Sequence, residues 1–382
     1  MKRTGLIFAA LGLFLFAQAG QADWTPTKRL TWTSGGSYEP AVAVDSSDAI
    51  HVVWQDETPG NHEIYYKRSI DGGTSWSAAK RLTWTSADSF SPALAIGSGS
   101  AIHVVWYDYT PGSSEIYYKR SADGGTTWSS TQRLTWTSGS SLYPAIAIDS
   151  SNNIHVVWED HTPGNADIYY KASTNGGTTW SAAERLTWTS GQSFRPAIDI
   201  DSSDSIHVVW QDHTPGNAEV YYKGSTDGGT TWSAVKRLTW TSGESYGPGI
   251  GIASDNVIHI VWYDDSLGSP EIYYKRSADG GTTWSVSQRL TWTLGASSYP
   301  VASLDSSDAI HVVWQDDTPG YSEIYYKTST DGGTTWSAAQ RRTSTSGYSE
   351  APAVSVDSGD IIHIVWQCDT PGNYEIYYKN GN

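Results

Sequence analysis

One 52-residue unit, repeated seven times, constrains the fold of this chain more than any other feature. The tetrapeptide His-Val-Val-Trp, or His-Ile-Val-Trp, begins at seven histidines spaced by 52 residues without an insertion or deletion. These histidines are His51, His103, His155, His207, His259, His311 and His363. A repeat of about 50 residues is typical of propeller blades and longer than the common helical repeats. The spacing therefore predicts a ring of like units.

Each unit contains four segments with the pattern of short strands. In the first unit these are residues 40–45, 50–54, 63–67 and, more weakly, 76–82. They are rich in β-branched and aromatic residues, and clusters of Asp, Ser, Gly and Pro separate them. No stretch of the sequence shows helical periodicity. The sequence thus predicts an all-β fold, a seven-bladed β-propeller with four antiparallel strands per blade.

The two ends of the repeated region complement each other. Trp24 lies 52 residues before Trp76, so the repeats begin with a fourth strand. The last unit ends at Asn382, just after its third strand. We therefore expect the N-terminal strand to pair into the C-terminal blade and close the ring, which leaves no open sheet edges there.

The first 22 residues resemble a secretory signal peptide. Lys2 and Arg3 precede an apolar run at residues 6–17, and small residues that suit a signal peptidase follow it. The run is shorter than the about 20 residues that span a bilayer. We expect cleavage after Ala22, a propeller over residues 23–382, and a secreted monomer in an extracellular or periplasmic location. An uncleaved anchor is the alternative.

The charge balance argues against two classes of partner. The formal net charge is −16, and loss of Lys2 and Arg3 with the leader takes it to −18. An acidic surface repels phosphate backbones, so nucleic acid is not an expected partner, and neither is an anionic membrane. The one cysteine, Cys368, allows no internal disulfide framework and is not expected to react.

The turn between the third and fourth segments repeats the motif Ser-x-Asp/Asn-Gly-Gly-Thr-Ser/Thr-Trp. Its acid or amide is Asp71, Asp123, Asn175, Asp227, Asp279 and Asp331. The motif resembles the Asp-box, or bacterial neuraminidase repeat, of the sialidase superfamily. The resemblance implies a structural role on the face away from the active site. We expect the Asp or Asn to close the turn onto backbone N–H groups, the glycines to take positive φ, and the Trp to fill the gap between strands.

Positions that recur in every blade are predicted to be scaffold. The seven repeated histidines should be buried with a fixed partner, for which the serine of the Ser37 series is the candidate. The seven repeated arginines should be solvated or paired on the outermost strand, and the Tyr-Tyr pairs should be packing. These arginines are Arg29, Arg81, Arg133, Arg185, Arg237, Arg289 and Arg341.

Six repeated tryptophans end the fourth strands. They are Trp32, Trp84, Trp136, Trp188, Trp240 and Trp292. Core packing is the favoured interpretation, and a role as sugar-stacking platforms between blades is the alternative.

Positions that differ between blades are the better candidates for a binding site. On the face opposite the Asp-boxes they ring the predicted channel mouth. The candidate ligand-binding residues are Glu39, Tyr143, Arg195, Glu244, Tyr299, Tyr348, His161 and His213. The two histidines should have pKa values above the usual value of about 6.5, because the rim is acidic.

An acid follows the second strand in six blades. These acids are Asp56, Asp108, Asp160, Asp212, Asp264 and Asp316, and Cys368 takes the seventh place. A carboxylate-rich rim could hold a sugar or a hard cation, and a merely solvated rim is the alternative. We assign no metal and no cofactor.

The resemblance also implies what a catalytic sialidase would need. That is an arginine cluster for the substrate carboxylate, a tyrosine nucleophile with a carboxylate partner, and an acid. The nearest match to the family's arginine motif is Phe194-Arg195-Pro196, which lies in the fourth blade and lacks the aliphatic residue. Arg68, Arg120 and Arg276 precede Asp-boxes on the far face. We therefore assign no catalytic residue.

The favoured function is a secreted, non-catalytic, sialidase-like recognition module with a glycan or protein ligand at the channel mouth. An exo-sialidase-type glycoside hydrolase and a structural or surface-assembly protein are the alternatives.

Overall fold

The computed structural model describes residues 24–162, 164–370 and 372–382, so the predicted signal peptide lies outside the described residues. The chain forms seven four-stranded antiparallel sheets arranged around a channel. This confirms the predicted seven-bladed β-propeller. Within the described ranges, one 3-10 turn at Ser98–Ser100 is the only helical segment, and none of the helical structure could cross a membrane.

The strands are numbered in chain order. They are β1 (Lys28–Arg29), β2 (Ser37–Val44), β3 (Ile50–Asp56), β4 (Glu63–Ser69), β5 (Lys80–Arg81), β6 (Ser89–Gly97), β7 (Ala101–Asp108), β8 (Glu115–Ser121), β9 (Gln132–Arg133), β10 (Ser141–Ile148), β11 (Ile154–Asp160), β12 (Asp167–Ser173), β13 (Glu184–Arg185), β14 (Ser193–Ile200), β15 (Ile206–Asp212), β16 (Glu219–Ser225), β17 (Lys236–Arg237), β18 (Ser245–Ile252), β19 (Ile258–Asp264), β20 (Glu271–Ser277), β21 (Gln288–Arg289), β22 (Ser297–Leu304), β23 (Ile310–Asp316), β24 (Glu323–Ser329), β25 (Gln340–Arg341), β26 (Ser349–Val356), β27 (Ile362–Cys368) and β28 (Glu375–Gly381).

Each blade runs outward from the channel. The first strands, such as β2 and β26, lie side by side around the channel. The second strands are buried throughout, as in β3, because neighbouring blades cover both of their faces. That double burial explains why the sequence there is a continuous apolar run rather than an alternation. The fourth strands are only two residues long and form the outer edge.

The N-terminal strand completes the last blade, as predicted. Sheet order in that blade is β1-β28-β27-β26, with Lys28 opposite Tyr378 and Arg29 opposite Tyr377. The Leu30 N–H donates to the carbonyl of Ile376 at 2.7 Å. The ring is therefore closed by strand pairing between the two ends of the propeller.

Adjacent blades share apolar clusters and one buried lysine contact. At the boundary between the last and first blades, Trp54 packs with Val365 and Tyr378. Lys67 of the first blade donates its Nζ proton to the carbonyl of Leu30 at 2.6 Å. Burial lowers the pKa of Lys67. The same lysine contact recurs at other boundaries and ties each blade to the outer strand before it.

The Asp-box turns have the predicted structural role. Asp71 accepts hydrogen bonds from the Ser75 N–H at 2.8 Å and the Ser75 hydroxyl at 2.6 Å. These bonds lower the pKa of Asp71 to about 2. Gly72 and Gly73 have φ values of 64° and 81°, in the left-handed region that glycine adopts without steric cost.

The tryptophan of the Asp-box corrects one detail of the prediction. Trp76 packs edge-on against Tyr378 of the neighbouring blade, with ring centres 5.0 Å apart. It therefore fills the gap between two blades and not a gap between strands of its own blade.

The repeated histidines are buried, as predicted, but the predicted serine partner is wrong. His51 bonds through Nδ1 to the Tyr66 hydroxyl at 2.8 Å and through Nε2 to Asp45 at 3.3 Å. Ser37 instead donates to Asp56 at the opposite end of the blade. The second tyrosine of each pair is thus a hydrogen-bond partner as well as packing.

The tryptophans of the Trp32 series are exposed, so the expectation of core packing is wrong. Their exposed fractions lie between 67% and 69%. They lie on the outer surface at the boundaries between blades, where Lys67 of the next blade contacts the Trp32 ring.

Candidate functional site

A bulge in each first strand presents the variable residue at the channel mouth. The pairing of β2 with β3 shifts register between Tyr38 and Ala41. The residue before each proline has φ between 47° and 53°, in the left-handed region. These residues are Glu39, Ser91, Tyr143, Arg195, Gly247, Tyr299 and Ala351. Such a conformation costs a non-glycine residue about 1–3 kcal/mol and is typical of functional sites.

Side chains from the preceding blade support these strained residues. The Glu39 N–H donates to Gln367 Oε1 at 2.8 Å, and the Arg195 N–H donates to Glu159 Oε2 at 2.9 Å. In two blades a tyrosine takes the supporting position. These supporting side chains were not predicted from the sequence. The residue after each His-Val-Val-Trp is Gln, Tyr or Glu, and this variation between blades could have indicated them.

The seven variable residues and their prolines line a cavity of about 470 Å³ at the channel mouth. Arg195 lies between two aromatic rings, with its Cζ 4.9 Å from the centre of the Tyr143 ring and 5.8 Å from that of Tyr299. Stacking on aromatic faces holds a guanidinium in place while its N–H groups stay available. We refer to Arg195, Tyr143 and Tyr299 as the channel triad.

Charge at the mouth is sparse. Glu39 and Arg195 are the charged residues among the described residues of the cavity wall. Ser91 donates its hydroxyl proton to Glu39 Oε2 at 2.6 Å. The cavity therefore offers one carboxylate, one guanidinium and phenol groups on a mainly apolar wall.

Burial favours the protonated state of two phenols at or beside the mouth, those of Tyr143 and Tyr263. Burial raises the pKa of Tyr143, and it raises that of the supporting residue Tyr263 to about 12. Tyr263 packs on Tyr299 with ring centres 5.6 Å apart. Phenols with raised pKa values donate hydrogen bonds and stack, but they are poor nucleophiles at neutral pH.

The two predicted histidines lie on loops beside the mouth. His161 Nε2 lies 3.4 Å from Glu159 Oε1, and this hydrogen bond raises the pKa of His161 in the predicted direction. His213 packs between Phe194 and Tyr246, at ring-centre distances of 5.6 and 6.4 Å. Neither imidazole is part of the cavity wall.

Glu244 and Tyr348 also lie outside the cavity wall. Glu244 accepts a hydrogen bond from the Ala218 N–H in a loop of the preceding blade. Tyr348 packs edge-on against Tyr321 at 5.3 Å. The structure therefore brings Glu39, Tyr143, Arg195 and Tyr299 together and leaves the other four predicted residues around them.

A half-buried carboxyl in the channel strand β14 was not predicted. Burial raises the pKa of Asp199 to about 7. The other blades have small residues at this position, namely Ala43, Ala95, Ala147, Gly251, Ser303 and Ser355. That contrast was the available signal. Asp199 is not part of the wall that contains Arg195.

The acids that directly follow the second strands do not contribute to an exposed rim. Asp56 is buried, and it accepts hydrogen bonds from the Ser37 hydroxyl at 2.8 Å and the Thr58 N–H at 2.9 Å. The equivalent acids are buried in the same way, and so is Cys368. These carboxylates hold the loops in place, since their oxygens accept hydrogen bonds from loop and strand residues. Among the described residues, no group of three or more His, Cys, Asp or Glu side chains could hold a metal ion.

The arginines are distributed as the sequence analysis expected. Each of the seven outer-strand arginines pairs with a buried carboxylate, as Arg29 does with Glu375 at 2.6 Å. Arg68 donates to a carbonyl of an Asp-box turn on the far face. Arg342 lies over the Trp24 ring at a blade boundary. Of the arginines that the structure describes, Arg195 alone lines the cavity.

We expect the His161 imidazole to titrate above the usual histidine pKa of about 6.5. A histidine with a raised folded-state pKa stabilises the fold below pH 6.5, and this contribution disappears as the pH rises through the raised pKa. An NMR titration measures the value, and Glu159→Gln should return it toward 6.5. The matched control is buried His103, whose pKa burial lowers to about 4. Titration of wild-type His161 at or below 6.5 would contradict the assignment.

Comparisons with known proteins place this chain in a family of repeat-containing proteins. Its sequence matches a BNR repeat-containing family member over residues 104–291 and again over residues 195–367. It is 28% identical to the xyloglucanase Xgh74A of Acetivibrio thermocellus over 269 residues, which are 60% of this chain. The aligned part is 29% of the xyloglucanase, so the chain matches less than a third of that relative's length.

Two solved structures share the fold. An ulvan lyase from a family of polysaccharide lyases superimposes with a TM-score of 0.65 and 12% identity, over 92% of this chain and 95% of the lyase. A Hadza microbial sialidase superimposes with a TM-score of 0.53 and 15% identity, over 86% of this chain and 73% of the sialidase. At these identities the likeness concerns the fold.

Proposed function

Because the chain belongs to the family of BNR repeat-containing proteins and is a sialidase-like β-propeller, we propose that it is a secreted, non-catalytic module that recognises a glycan at its channel mouth. The position of Arg195 between Tyr143 and Tyr299 is the observation that carries the proposal. The predicted signal peptide supports secretion, for which an exported chain that begins at Asp23 is the expected result.

The chemistry of the mouth suits a sugar. Aromatic rings stack on the C–H face of a pyranose, and the Arg195 guanidinium donates hydrogen bonds to hydroxyl or carboxylate oxygens. The left-handed backbone at all seven variable positions holds these side chains in a fixed arrangement before a ligand arrives. The relatives named above act on polysaccharides or sialosides according to their names, which supports a glycan as the ligand class.

The same geometry supports a non-catalytic role. One arginine lines the described cavity wall, whereas the resemblance implies a cluster. Burial raises the pKa of Tyr143 in the wall and of Tyr263 beside it, so both phenols are poor nucleophiles. Asp199 has a pKa near that of a general acid, but it does not line this wall.

We expect a glycan array to identify a ligand whose affinity depends on the channel triad. Tyr143→Ala, Arg195→Ala and Tyr299→Ala should each weaken binding about 10-fold, or about 1.4 kcal/mol, since each removes a stacking or donor group. Thr74→Ala, on an exposed Asp-box turn of the opposite face, is the control and should bind like the wild type. No array binding at all would favour the surface-assembly alternative.

The hydrolase alternative has its own test. We expect no turnover of a fluorogenic sialoside, because a single arginine cannot form the carboxylate clamp. Robust hydrolysis that Arg195→Ala and Asp199→Asn both abolish would overturn the non-catalytic role. Hydrolysis that neither variant changes would indicate a contaminating enzyme.

A further inference from the structure

Six exposed tryptophans lie on the outside of the ring, each at a boundary between adjacent blades, and two of these boundaries show a cleft beside the tryptophan. The cleft at the boundary of the last and first blades is lined by Trp32, Trp54, Asp56 and Tyr65 and has a volume of about 220 Å³. The equivalent cleft beside Trp136 has a volume of about 240 Å³. Both lie away from the channel mouth, since no cleft residue is part of the channel wall.

The exposed ring is held rigidly. Arg29 Cζ lies 5.7 Å and Lys67 Nζ lies 5.5 Å from the centre of the Trp32 ring. Both cations are fixed in turn, because Arg29 pairs with Glu375 and Lys67 donates to a backbone carbonyl. The same two contacts recur at all six tryptophans, at distances from 5.4 to 5.8 Å. About two thirds of each ring still faces solvent.

Each cleft also offers a phenol hydroxyl. Tyr65 stacks on Trp54, with ring centres 5.9 Å apart, and lines the cleft. Within the described ranges its hydroxyl has no hydrogen-bond partner, and the oxygen is not among the fully buried polar atoms that lack one. The Tyr65 hydroxyl, which can donate and accept hydrogen bonds, thus lies in the same cleft as the exposed face of Trp32.

The tryptophan recurs from repeat to repeat, although other exposed positions vary. The exposed position within the Asp-box turn varies freely, as Ile70, Ala122, Thr174, Thr226, Ala278 and Thr330. The exposed Trp32 position is tryptophan in six of the seven repeats. The two cation–π contacts stabilise each tryptophan, but they leave most of the side chain exposed and open to a ligand.

The seventh boundary lacks this arrangement. There Ser344 replaces the tryptophan, Arg342 replaces the leucine of the Leu30 series, and Cys368 replaces the acid. Arg342 packs on Trp24 at 4.1 Å, and burial lowers its pKa to about 10. The ring therefore contains six like boundaries with an exposed tryptophan and one boundary without it, and this difference predicts a number of binding sites that an experiment can count.

We propose that these six clefts bind neutral polysaccharide, one sugar ring stacking on each tryptophan, so that the propeller holds a polymer at several points at once. The site is separate from the channel mouth and does not depend on the function proposed there. Sugar rings fit because each cleft is small, has one open aromatic face and has an unpaired hydroxyl beside it. The acidic net charge of −16 disfavours anionic polymers.

A protein partner fits the clefts less well. Each tryptophan stands alone at its own boundary, one blade from the next, and the six do not form a continuous apolar patch of the kind that protein interfaces use. A second copy of this chain would contact one side of the ring, so it would bury only some of the six tryptophans. These alternatives predict different outcomes in the test below.

The test uses xyloglucan and arabinan as neutral probes and polygalacturonate as the anionic probe. Affinity electrophoresis should show retardation by at least one neutral polymer and none by polygalacturonate. Replacing all six tryptophans by alanine should weaken retention on the order of 100-fold, because multivalent binding multiplies weak contacts. Titration with a short oligosaccharide of the retained polymer should give six sites per chain, and Trp84→Ala should leave five.

Controls separate this proposal from the channel mouth and from misfolding. Ile70→Ala and Val286→Ala remove exposed apolar side chains elsewhere and should change neither retention nor stoichiometry. Arg195→Ala should keep the six sites even if array binding at the channel is lost. The single variant Trp84→Ala keeps the test valid if the six-fold variant does not fold.

Three results would overturn the proposal. They are no retention by either neutral polymer, a stoichiometry that tryptophan replacement leaves unchanged, and loss of self-association instead of sugar binding in the six-fold variant. The last would assign the tryptophans to contacts between copies of the chain.

Discussion

A chain that starts at Ser34 is expected to melt about 10 °C below the chain that starts at Asp23, and to self-associate. Deleting residues 24–33 removes the strand that closes the ring and buries Leu30. It also leaves the Glu375 carboxylate without Arg29 and the Lys67 ammonium without its carbonyl partner.

Together these losses amount to roughly 8 kcal/mol. The unfolding entropy of about 2.1 cal/mol/K per residue converts that loss to about 10 °C in a chain of this length. The exposed edge of β28 offers unpaired backbone groups to a second molecule.

Differential scanning calorimetry and sedimentation velocity measure both effects. A permuted chain that joins Asn382 to Trp24 through an Asp-box turn, and opens at another such turn, is the positive control and should fold as a monomer. An unchanged melting temperature with an unchanged monomeric state would contradict closure by strand pairing.

The second large effect expected is a loss of stability between pH 6.5 and 4. Burial lowers the pKa of all seven repeated histidines, and it lowers those of His103 and His259 to about 4. An unfolded histidine takes up its proton near pH 6.5, whereas the folded one remains neutral. The stabilisation is therefore complete above pH 6.5 and decreases as the pH falls toward the folded pKa.

For His103 and His259 the shift corresponds to about 3 kcal/mol each. Each of the other five histidines has an Asp hydrogen-bond partner, which opposes the lowering of its pKa. Urea unfolding at pH 7, 6, 5 and 4.5 gives the free energy of unfolding. His103→Gln keeps a hydrogen-bonding side chain without the titration and should reduce the acid sensitivity. Stability that stays level from pH 7 to 4.5 would contradict this account.

The fold could be predicted from the sequence because the 52-residue repeat and its strand pattern are the same in all seven blades. The working face followed from strand direction, and comparison between blades identified Glu39, Tyr143, Arg195 and Tyr299 as variable. The contact of Arg195 with both tyrosines was not predictable. It joins residues 52 and 104 positions apart across a channel, and only the ring geometry and the bulge decide which side chains meet.

The wrong predictions share a physical cause. Asp56 and Trp32 each stand at a strand end, where the pattern does not show whether the side chain turns inward or outward. Asp56 turns inward to bond Ser37, and Trp32 turns outward. The histidine partner was missed for a similar reason, since Ser37 is at the end of the blade away from His51.

A crystal structure of the protein with the glycan selected on the array would test the central claim most directly. The account predicts density for an intact glycan in the channel cavity, with a sugar ring on Tyr143 or Tyr299 and hydrogen bonds from Arg195. Density for this glycan only outside the channel mouth, or a cleaved glycan within it, would contradict the claim that the mouth recognises a sugar without hydrolysing it.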